Sequence, residues 1–175
     1  VEIISTELKR LPNSEDSSGS SDKYQIQKFD TSAAELTLTT VNRALRLKGM
    51  KPFLISGTLL GCMRDGQIMP HDKDLDMGLI GWESQFDLAQ VILGLGCFDI
   101  NLKRLKGQQL FLISAIDQRT NIAIDFFMFH DKGDHFLHGI DYQYGFTQNF
   151  KFSKFELIET PFLGESFYIP DQWSR

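Results

Sequence analysis

Cysteine is nearly absent from this 175-residue chain, which holds only Cys62 and Cys97. Two cysteines make no disulfide framework, and their spacing fits no zinc pattern. They read as two ordinary, partly buried thiols and leave the redox compartment open. Positive charge is also in short supply, with 18 Lys and Arg against 23 Asp and Glu and a formal net charge of −5. A general nucleic-acid binder needs a cationic excess to displace counterions, so that class is excluded. Local binding of a small anion or a metal-bridged phosphate is not. No run of about 18 apolar residues exists, so nothing here is expected to span a membrane. The front, "VEIISTELKR", is mixed and charged and does not read as a secretory leader. A chain that starts at Val1 rather than Met reads as processed or cut from a longer protein. No internal repeat is visible.

What is present suits one ordinary domain: 42% of residues are hydrophobic and 15 are Phe, enough for a core. Residues 1–23 read as an arm or short strand followed by a flexible linker, because "SEDSSGSSDK" (Ser14 to Lys23) has nothing apolar to bury. The folded unit is expected over 24–175. Ser32 with Glu35 forms a capping-box signature, and Leu36, Leu38, Val41, Leu45 and Leu47 give an amphipathic helix ending at Gly49. "KPFLISG" reads as a buried strand, "TLLGCMRDG" as a short helix closed by Gly66, and "DLDMGLI" as a second strand. A helix follows in "WESQFDLAQVILGLG", then three strand-like runs, "FDINLKRL", "QQLFLISAI" and "NIAIDFFMF", with hairpin turns at Gly107 and at Gln118–Thr120. From about Phe146 the aromatic-rich tail reads as further short strands or irregular cover. The order predicts an α/β (α+β) domain with a small mixed sheet.

The chemistry concentrates in "SGTLLGCMRDGQIMPHDKDLD". Gly57 and Thr58 sit where a strand turns into a helix, a place whose free N–H groups suit a phosphate. Gly57 would allow close approach and Thr58 would add a hydroxyl. Asp74 and Asp76 lie two apart on a strand and so share a face, about 6–7 Å from each other. Unpaired, they repel and lose hydration. A hard divalent cation, Mg2+ or Mn2+, removes that conflict, since it takes one or two carboxylates and completes its shell with water and substrate phosphates. Asp125, flanked by Ile124 and Phe126 in an apolar strand, is the expected third ligand. A calcium loop over "DKDLDMGLIGWE" fails, because Met77 stands where glycine is needed and Pro70 precludes an entering helix. His130, His135 and His138, with Asp131 and Asp134, could form a zinc site by spacing, but "HDKGDH" reads better as a solvated turn.

These residues together resemble the signature of the LicD/fukutin family, a branch of the nucleotidyltransferase-fold superfamily. The family pattern of apolar strand, Gly-Thr, Leu-Gly, Arg, Ile and Pro, then an Asp-x-Asp strand, is met by Gly57-Thr58, Leu60-Gly61, Arg64, Ile68, Pro70 and Asp74-x-Asp76. "IAIDFFMF" and "PFLGESFYIPD" resemble its later segments, so the likeness covers roughly Phe53 to Asp171. "KDLDMGL" is nearer the fukutin branch than LicD, where an all-acidic "WDDDID" is usual; His71 and Lys73 make the difference. The family continues past its last Pro to a Tyr-Gly and a Trp, whereas this chain stops at "DQWSR", so a missing C-terminal part is expected. The resemblance implies a nucleotidyltransferase-type fold and transfer of phosphocholine or phospho-ribitol from a CDP-linked donor to a glycan acceptor. It further implies that Asp74 and Asp76 hold metal ions, that Asp125 is the third ligand or the base, that Gly57 and Thr58 hold donor phosphate, and that Arg64 neutralises charge on the leaving nucleotide. Without the resemblance Arg64 reads as a surface ion-pair partner of Asp65 or Asp72. Asp72 itself, optional in the family pattern, reads as a bystander or as a helper behind the Asp74 and Asp76 pair. Transfer of an NMP from an NTP and a non-catalytic glycan- or partner-binding role are the alternatives.

Overall fold

A computed structural model describes residues 2–5, 29–81, 84–104, 110–142 and 146–173. The Ser-rich linker and the expected turn at Gly107 lie outside them, as does Glu83. The described residues form three α-helices and ten strands. Helix α1 (Thr31–Leu47) buries Ala34, Leu38, Val41 and Leu45 along one stripe. Its N-cap is Asp30, whose carboxylate accepts from the Ala33 N–H at 3.0 Å, and not the expected Ser32 capping box. The cap thus lies two residues before the expected one, and the helix begins at Thr31. It ends before Gly49, at φ 75°.

Strand β1 (Glu2–Ser5) pairs antiparallel with β8 (Phe146–Ser153). Strand β2 (Phe53–Leu54) leads through Ser56 (φ 49°) into α2 (Ser56–Leu60), a π-helical turn (Gly61–Asp65) and Gly66 at φ 65°. This is the short helix closed by Gly66. Strand β3 (Leu75–Ile80), helix α3 (Ser84–Gly94), and strands β4 (Phe98–Arg104), β5 (Leu110–Asp117) and β6 (Ile122–Asp131) follow. Strand β7 (His135–Tyr142) was not legible in the sequence, because "HFLHGIDY" mixes two His, Gly and Asp into its pattern. After β8 come β9 (Leu157–Phe162) and β10 (Glu165–Pro170). The sheet is mixed, as expected, but larger.

Ten-residue β6 is its axis. Residues 122–127 pair antiparallel with β5, residues 124–129 pair parallel with β3, and His130 and Asp131 pair with β7. The order continues from β3 through β2 and β10 to β9, and from β7 through β8 to β1.

The two faces of β3 and β6 have different fates. Leu75, Met77 and Leu79 with Ile124, Phe126 and Met128 face α1 and α3, packing with Leu38, Val41, Leu45, Leu88 and Ile92. The opposite face carries Asp76 and Asp125 at one end. Beyond them, Phe53, Phe127, Phe129 and Phe136 make an aromatic cluster with Phe152 and Phe155 packed on it. Phe53 lies over Gly78, its cross-strand partner; a Cβ there would stand 2.3 Å from the ring. His138 is packed into the same region, perpendicular to Phe127 at 4.9 Å and stacked on Phe129 at 5.2 Å. The expected solvated turn is present at Asp131–Asp134, but His130 and His138 are each only 4% exposed. The turn residues stay wet while the alternation of β6 and β7 carries the two rings inward.

Adding a methyl at Gly78 should drive the Phe53 ring off the sheet. Gly78→Ala is expected to cost about 1–3 kcal/mol in urea unfolding, and Phe53→Leu in the same background should recover part of the loss; an unchanged midpoint would refute the contact's importance. Burial, with the neighbouring His130, pushes the His138 imidazole down to about 4, below its ordinary value near 6.5. A depressed folded-state value means full stabilisation above about pH 6.5 and loss as pH falls through about 4. The difference between wild type and His138→Phe in urea midpoint should therefore shrink across that window.

Candidate active site

Parallel pairing of β3 with β6 puts Asp76 directly beside Asp125. Their backbones are held about 5 Å apart by the ladder, so the two carboxylates leave the same face side by side. Antiparallel pairing of β6 with β5 adds Ser114 as the next neighbour, and its hydroxyl donates to Asp125 Oδ1 at 2.5 Å. The result is one row, Ser114–Asp125–Asp76, across three strands.

The segment before β3 completes the group. The Asp76 N–H donates to Thr58 Oγ1 at 2.8 Å, and the Gly57 N–H bonds the Asp76 carboxylate. Thr58 is 2% exposed. In this structure both residues, expected to meet a donor phosphate, hold Asp76. Gly57 lacks a side chain for a visible reason: a Cβ there would come within 2.6 Å of Asp72 Oδ2. Asp72 therefore lies against the turn that holds Asp76, where the helper reading would put it. Its carboxylate lies over the strand–helix turn and adds to the field at Asp76. Asp74 lies just ahead of β3 and acts on Asp76 the same way.

Three carboxylates, Asp72, Asp74 and Asp125, thus act electrostatically on Asp76. Burial first, then the charges of Asp74, Asp125 and Asp72, together push its carboxyl up to about 7 against the opposing Gly57 hydrogen bond. An acid so raised in a cleft of like charges marks a functional-site candidate.

Arg64 stands apart. It is exposed on the π-helical turn and holds Asp65 through two hydrogen bonds, at 2.8 and 2.6 Å, with a further contact to Met69 Sδ at 3.4 Å. That is the plain surface pairing that its neighbours suggest. Cys62 and Cys97 are free thiols. A cavity lined by Asn42, Arg43, Arg46, Leu47, Glu165 and Ser166 opens on the α1 side of the sheet and does not belong to the carboxylate group.

The donor set at the site is all oxygen, the type that suits Mg2+ or Mn2+. Among the described residues no three His, Cys, Asp or Glu side chains are gathered as a ready ligand set. Mg2+ needs only one or two carboxylates, and the Asp76–Asp125 pair offers two. The fit is to a pair closed by substrate oxygens. Ser114 escaped the sequence reading, although its signal matched that of Asp125: a lone polar residue between apolar Ile113 and Ala115.

The family described as LicD/FKTN/FKRP, nucleotidyltransferase domain, matches residues 49–172. The ribitol-5-phosphate transferase FKTN of Macaca fascicularis is 29% identical over 144 residues, 81% of this chain and 30% of that protein. Its Homo sapiens counterpart gives the same identity and coverage. The chain thus spans about 30% of the length of these relatives. Among solved structures, ANT(2")-Ia in complex with adenylyl-2"-tobramycin superposes with a TM-score of 0.53 at 11% identity, over 81% of this chain and 71% of that one. It bears out the nucleotidyltransferase-type fold.

A raised Asp76 carries a sign that can be checked without any substrate. Its folded-state value lies above the unfolded one near 4, so the protonated form is favoured on folding and its stabilisation is lost as pH rises through about 7. In metal-free buffer, Asp76→Asn should gain on wild type between pH 4 and 7, by on the order of 2–4 kcal/mol at the top of that window. This trend opposes that of His138, so each is read as a difference between wild type and its own variant. A flat difference for Asp76→Asn would remove the electrostatic account.

Proposed function

The chain belongs to the LicD/FKTN/FKRP nucleotidyltransferase family, and from that premise we propose that it is a metal-dependent phosphotransferase. It would move a phospho-alditol or phosphocholine group from a CDP-activated donor to a glycan hydroxyl. The observation that carries this reading is the in-register Asp76–Asp125 pair on parallel strands, with the Asp74 carboxylate adding its field to that of Asp125 at Asp76. The names of the two FKTN relatives support the phospho-ribitol version.

Asp76 and Asp125 would hold Mg2+ or Mn2+ as a pair, and Asp74 would join them as a ligand once the ion and substrate oxygens are in place. A bound ion of this kind supplies charge neutralisation and Lewis-acid polarisation of phosphoryl oxygens. The remaining work falls to the chain. Thr58 and Gly57 fix Asp76 through its N–H and its carboxylate, so that the residue is aimed before substrate arrives. Asp125, held by Ser114, would be the third ligand or would accept the proton of the acceptor hydroxyl, a role that requires it to lie within hydrogen-bond reach of that oxygen. Gly57 and Thr58 also stand at the turn where donor phosphate would approach. Arg64 would exchange its Asp65 partner for the leaving nucleotide's phosphate, a bidentate contact of the kind Arg makes well.

The same carboxylates would serve transfer of an NMP from an NTP, so the product decides. Incubation with CDP-ribitol or CDP-choline, a glycan acceptor and Mg2+ should release CMP. Release of pyrophosphate from an NTP would instead favour nucleotidyl transfer, and neither product would favour a binding domain that keeps the fold. Asp74→Asn, Asp76→Asn and Asp125→Asn should each lower CMP release by at least about 10²-fold. EDTA should stop it and Mn2+ should restore it. Full turnover by Asp76→Asn would end the proposal.

A further inference from the structure

Position 114 has a polar side chain that packing does not ask for. Its neighbours Ile113 and Ala115 are fully buried against the helices. On the other face, where Ser114 points, Leu112 two residues earlier packs with the aromatic cluster. An apolar side chain at 114 would continue that surface. Instead a hydroxyl stands there, on the cross-strand partner of Asp125, and donates to Oδ1 at 2.5 Å.

That bond has a directional consequence. The carboxyl torsion of an aspartate is broad, so an unanchored group on a strand turns over a wide arc. Donation to Oδ1 stops the rotation and leaves Oδ2 as the oxygen available to a ligand. Asp76 is anchored through other means, by Thr58 and Gly57. The two carboxylates thus have separate supports on separate elements, and without its own support Asp125 would be oriented only by whatever it binds. Outer partners of this sort affect metal affinity strongly, since the bound ion otherwise bears the ordering of its ligands.

We infer that Ser114 is the positioning residue of Asp125, occupying Oδ1 so that Asp125 presents a single, fixed oxygen to the metal. The inference rests on the metal-dependent reading above. It makes Ser114 neither a ligand nor a group that touches substrate.

The test is Mn2+ binding by calorimetry on the full, EDTA-treated chain, with no substrate present. Ser114→Ala should weaken Mn2+ binding about 10–100-fold, with far-UV circular dichroism unchanged. Ser114→Thr keeps the hydroxyl and suits a strand, so it should retain most of the affinity. In an Asp125→Asn background, Ser114→Ala should add little, because its effect passes through Asp125. If Ser114→Ala does not fold, Ser114→Cys replaces it; the thiol is a weak donor, and the same loss is expected. Wild-type affinity in the Ala or Cys variant, or an equal loss with and without Asp125, overturns the inference while leaving the metal reading in place. Failure of the wild type to take up Mn2+ both alone and with CDP added overturns both.

Discussion

Strands β3 and β6 run parallel and pair Asp76 with Asp125, and neither carboxylate can retreat from the other without breaking the ladder. At about 5 Å and an effective dielectric near 20, two such charges repel by on the order of 3 kcal/mol. The helix-facing sides of the same strands hold Leu75, Met77, Ile124 and Phe126 in the core. Packing on one face therefore enforces repulsion on the other. The remaining features of the site are responses to that conflict. Gly57 and Ser114 each donate a hydrogen bond to one of the two carboxylates, Thr58 holds the Asp76 backbone N–H, and Asp76 keeps its proton well above the usual carboxylate range.

The apolar surroundings sharpen the effect. Phe53, Phe127 and Phe129 extend from the carboxylates along the same sheet face and keep water from part of it. Gly78 lets the Phe53 ring lie against the backbone two residues from Asp76. Burial is the largest cause of the Asp76 shift, and this cluster shares the sheet face on which Asp76 lies.

Much of this was legible in the chain. Asp74, Asp76 and Asp125 stood out because carboxylates in apolar, strand-like runs need a reason, and the structure brings Asp76 and Asp125 together across one ladder. The helix from "TSAAEL" onward and the closure at Gly66 were readable from periodicity and glycine placement. What could not be read was pairing. Strand β7 hid behind two histidines and a glycine, whose burial depends on tertiary partners. Ser114 looked like an ordinary strand residue until β5 was aligned with β6. The helix cap passed to Asp30 because two acceptors lay two residues apart, and local sequence alone did not choose between them. Asp72 depends on a loop whose path the residues do not specify.

The pairing of Asp76 with Asp125 also makes the site a matter of parity. Side chains on a strand alternate, so position 125 faces the carboxylate side only while the count from Ile122 stays as it is. Losing one residue of β6 between Ile122 and Asp125 would exchange the faces, sending Asp125 toward Leu38 and Val41 and bringing Ile124 to the carboxylate side. Gain or loss of residue pairs would keep the faces but break the alignment with Asp76. A residue gained or lost in the turn after β6, around Lys132 and Gly133, would leave this count untouched.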